Sequence, residues 1–248
     1  MINYNSNKVN KDFGQEDYWS ESWTKHIEKY LASPPRAGIW LHNYFSNINY
    51  SVLECAAGSC RDSRYLFKLG YKSEGSDFDK KTLDYVKQRY PKSNFKITRQ
   101  DAFKFTFPDD QFDIVFHNGL WVLFEDNQDL YALLKEQYRI SKKYLVILVH
   151  NAENNKLCMT FKRKSKNDDL YNVRFFKRKE LKDILTNSGL RYESYAFRKF
   201  GGPFDRLYFM LEKFPFISPI LTWFIPKFYR FLPWKNVERI ALIIKKCK

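Results

Sequence analysis

The sequence predicts an α/β protein built on an open, largely parallel sheet with helices on both faces. Three observations carry that prediction. From residue 51 onward, short apolar or β-branched runs alternate with segments whose apolar residues recur at helical spacing, the signature of consecutive βαβ units. The first run ends in an acid followed by a turn of small residues, Cys55-Ala56-Ala57-Gly58-Ser59-Cys60. A second acid, Asp77, closes the next run 23 residues after Glu54.

Taken in order, the chain opens on residues 15–48, which read as two helices separated by Pro34 and Pro35, because proline lacks the N–H a helix interior needs. Seven strands follow, at 51–54, 72–77, 94–99, 112–117, 143–149, 190–199 and 237–245. Between them, Leu83, Val86 and Tyr90 form a helical stripe that stops before Pro91, and Leu130, Leu133, Leu134 and Tyr138 form another. Leu181, Ile184 and Leu185 form a third, which Gly189 closes as the residue after the cap. The length of 248 residues suits one domain. Residues 1–48 are expected to cap it, and residues 201–235 to form a helical insertion between strands six and seven.

Composition narrows the partners. Hydrophobic residues make up 44% of the chain and aromatics 19%, ample for a core. Cys55, Cys60, Cys158 and Cys247 show no CxxC pairing, so a reducing cytoplasm is expected, with neither a disulfide framework nor a metal site. The N-terminus lacks the apolar core of a secretory signal, and no apolar run is long enough to span a bilayer. The net charge of +15 points to an anionic partner: nucleic acid, an acidic lipid surface or a phosphorylated small substrate. Residues 156–182 carry ten Lys or Arg against three acids, and residues 199–248 carry ten against three, so the positive field belongs to the C-terminal half.

The turn after the first strand lets a ligand rest on the backbone. A dinucleotide loop would read G-x-G-x-x-G, but Ala56 stands at the first glycine, Gly58 at the second, and Cys60 follows, which makes a pyrophosphate seat a poor reading. A carboxylate at Asp77 can accept both hydroxyls of a ribose. In Gln100-Asp101-Ala102-Phe103 an acid follows the third strand, where it can accept a proton from an exocyclic amine. Together these describe an adenosine site.

The same residues carry a family resemblance. Val52-Leu53-Glu54 to Gly58, Gly75-Ser76-Asp77-Phe78, Asp101-Ala102 and the run Phe107 to Val115 make residues 51–150 resemble the core of class I S-adenosylmethionine-dependent methyltransferases of the type 11 or 25 kind. Arg174 to Leu181, followed by Ser188-Gly189-Leu190, is similar to the family's late helix and sixth strand. The resemblance implies a Rossmann-like seven-stranded, mostly parallel sheet whose last strand runs antiparallel, with S-adenosylmethionine over the carboxyl ends of strands one to four. It further implies that Glu54 and the Ala56 to Gly58 turn face the methionine part, Asp77 the ribose, Asp101 with Ala102 the adenine amine and Phe78 the adenine face. His117, Asn118 and Gly119 are then expected to line the methyl donor and acceptor. The chain departs from the family at Ala56 and Cys60, which replace glycines, and at Val122 and Leu123, where a Glu-His pair is frequent.

Methyl transfer is an in-line displacement, so positioning is its largest requirement, and a base is needed only for a hydroxyl or a protonated amine. His117 and His150, at the ends of the fourth and fifth strands, are the candidate bases; His26 and His42 are expected to be structural. Tyr18, Trp19 and Trp23 either close over the cofactor, where an aromatic face attracts a sulfonium, or sit against the sheet. Arg36 is a candidate partner for a cofactor or substrate carboxylate. In residues 199–248, twelve aromatics interleave with ten basic residues. The segment 214–234 within it suits a lid over the acceptor, a face that dips into a bilayer surface, or a dimer contact.

The expected function is methylation at oxygen or nitrogen of a small or carrier-linked acceptor (glycan, lipid or phosphorylated). RNA methylation is the alternative that net charge suggests, although no separate RNA-binding module is present and His117-Asn118-Gly119-Leu120 stands where a nucleic-acid enzyme carries an Asn-Pro-Pro-Tyr-like motif. A non-catalytic nucleoside-binding module is the third reading.

Overall fold

A computed structural model describes residues 16–202, Asp205 and residues 229–247. Two helices, α1 (Glu16–Ala32) and α2 (Arg36–Phe45), precede the sheet on either side of the expected prolines. Then follow β1 (Ser51–Cys55), α3 (Arg61–Lys68), β2 (Lys72–Asp77), α4 (Lys80–Arg89), β3 (Lys96–Arg99), β4 (Phe112–Asn118), α5 (Asn127–Ile140) and β5 (Ser141–His150). The chain continues through α6 (Asn155–Lys164), α7 (Arg178–Asn187), β6 (Tyr192–Phe200) and β7 (Arg239–Lys246). The strand order is β3-β2-β1-β4-β5-β7-β6. Strands β1 to β5 pair in parallel, and β7 runs antiparallel to both neighbours.

Strand alternation builds the two faces. Leu53, Val115, Leu145, Ile147 and Leu242 point to one side, where Leu130, Leu133 and Leu134 of α5 and Leu181 and Ile184 of α7 cover them. Val52, Ile114, Phe116, Val146 and Ile243 point to the other, beneath Ala37, Trp40 and Leu41 of α2 and Leu66 of α3. Each such side chain contributes roughly 1.5–3 kcal/mol on burial. The expected Gly189 stop is present: it follows Ser188, the cap of α7, at φ 72°.

Several expectations shift. The strand predicted at 94–99 starts two residues later, and β5 extends the predicted 143–149 by two residues at its start and one at its end. Helix α6 was not anticipated: its few apolar residues, Leu157, Cys158, Met159 and Phe161, are interleaved with cations, and only Cys158 is buried. The structure gives the insertion at 201–235 only at its ends, with short 3-10 turns at Tyr229–Phe231 and Trp234–Asn236. Residues 206–228, which include most of the 214–234 segment on which the lid, bilayer and dimer readings rest, lie outside the described residues. Among the described residues no helix is long and apolar enough to cross a membrane.

Candidate active site

The carboxyl ends of the parallel strands open into a cavity of about 600 Å³, within the usual range for small-molecule sites. Its floor begins at the turn after β1. Ala56, Gly58 and Cys60 stand at φ 49°, 49° and 50°, so every second residue is left-handed, a conformation costing an L-residue about 1–2 kcal/mol. The turn thus holds a glycine-rich course with one glycine. Gly58 itself admits no side chain, since a Cβ there would stand 2.2 Å from Cζ2 of Trp23.

Two buried acids flank the turn. Asp77, at the end of β2, accepts the Gly58 N–H through Oδ2 at 2.7 Å and the Asp79 N–H through Oδ1 at 3.1 Å. Each oxygen keeps a second lone pair, and the side chain lines the cavity. Burial raises its pKa to about 6. Glu54, at the end of β1, accepts the Ser63 N–H at 2.8 Å and the Ser63 hydroxyl. Burial and then the neighbouring Asp62 hold its carboxyl well above the usual range. A pair of buried acids favours the arrival of a cation.

Around this floor stand the other groups. Phe78, Asp101 and Ala102 line the cavity beyond β2 and β3; Asp101 accepts the Phe103 N–H through Oδ1 at 2.8 Å and has no partner for Oδ2 among the described residues. Trp19, Trp23, His26 and Tyr30 of α1 form a roof. That helix is anchored at Ser20, whose hydroxyl donates to Asp79 at 2.9 Å, and Asp79 in turn caps α4 through the Lys81 and Thr82 amides. Asn118, His150 and Arg239 line the far side. A carboxylate placed for a diol, another with an open oxygen for an amine, and buried acids for an ammonium fit a nucleoside that carries an amino-acid tail.

Four sequence expectations require correction. His117 does not line the cavity: strand alternation turns it into the core beside Trp121, at 5.8 Å between ring centroids, and its Nδ1 accepts the Leu120 N–H at 3.2 Å. Burial and then Arg239 push its pKa down to about 3, so it is a fully buried neutral ring and a poor base. Arg36 is held by Asp205 and by Glu238, at 2.7 Å from the latter, and so has no carboxylate to seek. His26 lines the cavity rather than the core, 4.0 Å from Asp168. Gly58 acts from beneath, through the N–H it gives to Asp77, and is not among the lining residues. His42 is structural as expected, 3.0 Å from the Tyr71 hydroxyl.

A family model described as a methyltransferase domain, type 11, matches residues 53–147, the stretch from β1 into β5 that builds the cavity floor. The chain carries a class I S-adenosylmethionine-dependent methyltransferase domain. Similar solved structures share this methyltransferase's fold. One is an S-adenosylmethionine-dependent methyltransferase from Thermotoga maritima, described as a possible histamine N-methyltransferase, at 16% identity and TM-score 0.60, covering 93% of this chain and 99% of its own. Another is a methyltransferase from Archaeoglobus fulgidus, at 19% identity and TM-score 0.61, covering 90% and 99%. A third is magnesium protoporphyrin IX methyltransferase from Synechocystis with bound SAH, at 13% identity and TM-score 0.54, covering 96% and 89%. No curated protein aligns with the sequence.

Two cavity residues of the methyltransferase escape sequence reasoning. Arg239 opens β7, and because that strand is antiparallel its first residue meets His150, the last of β5. Arg61 follows the turn after β1 and reaches the Tyr30 carbonyl at 3.3 Å. A cation ahead of the apolar run Ile240 to Ile244 was the available signal for Arg239, legible only once the strand's direction is known.

Proposed function

We propose that the cavity binds S-adenosylmethionine through Asp77 at the ribose hydroxyls, Asp101 and Ala102 at the adenine amine, Phe78 at the adenine face and Glu54 at the ammonium, and that it methylates oxygen or nitrogen of a small or carrier-linked acceptor. The observation that carries the reading is the left-handed turn at Ala56, Gly58 and Cys60, whose central amide is bonded to Asp77 at the cavity floor. The bound cofactor supplies an electrophilic methyl group on a sulfonium. The chain's own residues do the rest. Trp19 and Trp23 cover the cavity from α1 and exclude water, and their faces attract a cation. Asn118, at the end of β4, borders the same space as the acceptor side.

His150 is the candidate base for an acceptor that must lose a proton. It lines the cavity between Phe161 and Phe175, with ring centroids 4.8 and 5.2 Å away. Burial, then Arg239 and Arg36, hold its pKa well below the usual value, so it is a neutral and weak base, and what sets it apart from His117 is that its ring lines the cavity. An acceptor already neutral, such as a free amine, needs no such help. The free thiols, three of them buried, suit a reducing cytoplasm.

The test is calorimetric titration with S-adenosylmethionine and with S-adenosylhomocysteine. Both are expected to bind, and Asp77→Asn is expected to weaken each about tenfold to a hundredfold, the equivalent of a charged hydrogen bond of roughly 1.5–3 kcal/mol. Absence of heat from both molecules with the wild-type chain overturns the reading.

A further inference from the structure

We propose that Arg239 is an oxyanion-binding residue for the methyl acceptor, which therefore carries a carboxylate or phosphate group next to the atom that is methylated. The inference rests on the methyltransferase reading of the cavity and goes beyond it by naming the acceptor's charge and the residue that reads it.

Arg239 stands at the start of β7, opposite His150 in register, and lines the cavity. Its Nη1 donates to Asn118 Oδ1 at 2.8 Å; among the described residues this is the guanidinium's one hydrogen bond, and no carboxylate oxygen lies within ion-pair distance of it. Other cations of this chain are treated differently. Arg36 holds Asp205 and Glu238, Arg139 holds Asp109 and Glu136, Arg174 holds Glu180 and Arg178 holds Glu153. A guanidinium offers five donors in a rigid fork suited to two oxygens of one anion. Removing that fork from bulk water without a paired carboxylate is costly, and burial, followed by Arg36, outweighs the more distant Glu238 and lowers its pKa to about 10. An arriving anion relieves both.

The fork is also aimed. Asn118 takes Arg239 on its carbonyl oxygen and gives its amide N–H to Asp62 at 3.3 Å, and Asp62 is itself fixed by the Gly38 N–H at 2.9 Å. Arg239 thus reaches the cavity from the side of β5 and β7, while Glu54, Asp77 and Asp101 lie at the ends of β1 and β2 and after β3. The cofactor's own carboxylate is the other oxyanion that enters such a site, and the experiment separates the two sources.

Calorimetry compares wild type, Arg239→Gln and Arg239→Lys against S-adenosylhomocysteine and against 5′-methylthioadenosine, which lacks the amino-acid carboxylate. Each protein saturated with S-adenosylhomocysteine is then titrated with inorganic phosphate and with acetate. The expected result is unchanged affinity, within about twofold, for both nucleosides in all three proteins, with oxyanion binding weakened at least tenfold in Arg239→Gln and partly kept in Arg239→Lys. Lys142→Gln, on the exposed surface, is expected to bind the oxyanions as wild type does. Equal oxyanion binding in wild type and Arg239→Gln overturns the proposal. So does a selective loss of S-adenosylhomocysteine with 5′-methylthioadenosine retained, since Arg239 then grips the cofactor. If neither nucleoside binds the wild-type chain, the methyltransferase reading fails, and the oxyanion titrations on the unliganded proteins still decide the role of Arg239.

Discussion

Glu54 and Asp62 are both almost wholly buried, at 3% and 2% exposure, and the partner nearest in sequence, Arg61, lies 3.5 Å from Asp62 rather than from Glu54. The Glu54 carboxyl therefore holds its proton far above the usual range. An incoming ammonium reverses the balance, because an opposite charge at close range favours the ionised form. Cofactor binding near neutral pH is thus expected to expel a proton. Calorimetric heats in buffers of different ionisation enthalpy should rise or fall with that enthalpy, and Glu54→Gln should flatten the dependence; a flat line in the wild type contradicts the assignment. Asp77 makes a separate prediction about the free protein. Its folded pKa of about 6 exceeds the ordinary 3.8, so folding takes up a proton between those values. Stability then falls as pH rises through that window and stays lower above it. Urea unfolding across the window should show this slope in wild type and lose much of it in Asp77→Asn.

At the scale of elements, the turn between β1 and α3 works against local preference. Ala56 is left-handed without being glycine, so Ala56→Gly is expected to stabilise the chain by about 1 kcal/mol, read as a raised urea midpoint. Gly58→Ala has the opposite sign for two reasons, backbone strain at φ 49° and collision with Trp23 of α1. It should cost roughly 1–3 kcal/mol, and in a double-mutant cycle with Trp23→Ala, which carries a cost of its own, the coupling should equal only the portion due to collision. These positions show what sequence could convey. The acid-turn-acid order of Glu54, Gly58 and Asp77 was legible because chain order alone implies adjacency at strand ends. The loss of His117 from the cavity was not, since one step along β4 decides whether a side chain meets the ligand or Trp121. Strand β2 was predicted to the residue because it lies between Gly70 and the acid Asp77, whereas α6 hid its few apolar positions among cations. Arg239 depended on the antiparallel direction of β7, which the family resemblance supplied but local pattern did not.

For the whole molecule, the question is where a net charge of +15 acts. A general positive field draws any polyanion through counterion release, and that attraction weakens steeply with salt. A cavity roofed by Trp19, Trp23 and Tyr30 is a different kind of selector, since it admits a small group or a tethered one and discriminates by contact. The two effects separate by their response to salt. RNA binding in a filter assay is expected to fall roughly a thousandfold or more between 50 and 200 mM salt, if it involves six or more phosphates. S-adenosylmethionine, neutral apart from its sulfonium and zwitterionic tail, should keep its affinity within a few-fold over that range. At about a hundred times its dissociation constant the cofactor should stabilise the fold by roughly 2.7 kcal/mol, a rise in Tm of roughly 5–11 °C for a chain of this size. RNA that leaves this shift unchanged at low salt occupies the charged exterior; RNA that survives physiological salt and adds to the cofactor's shift is binding beside the cofactor and returns RNA to the acceptor class.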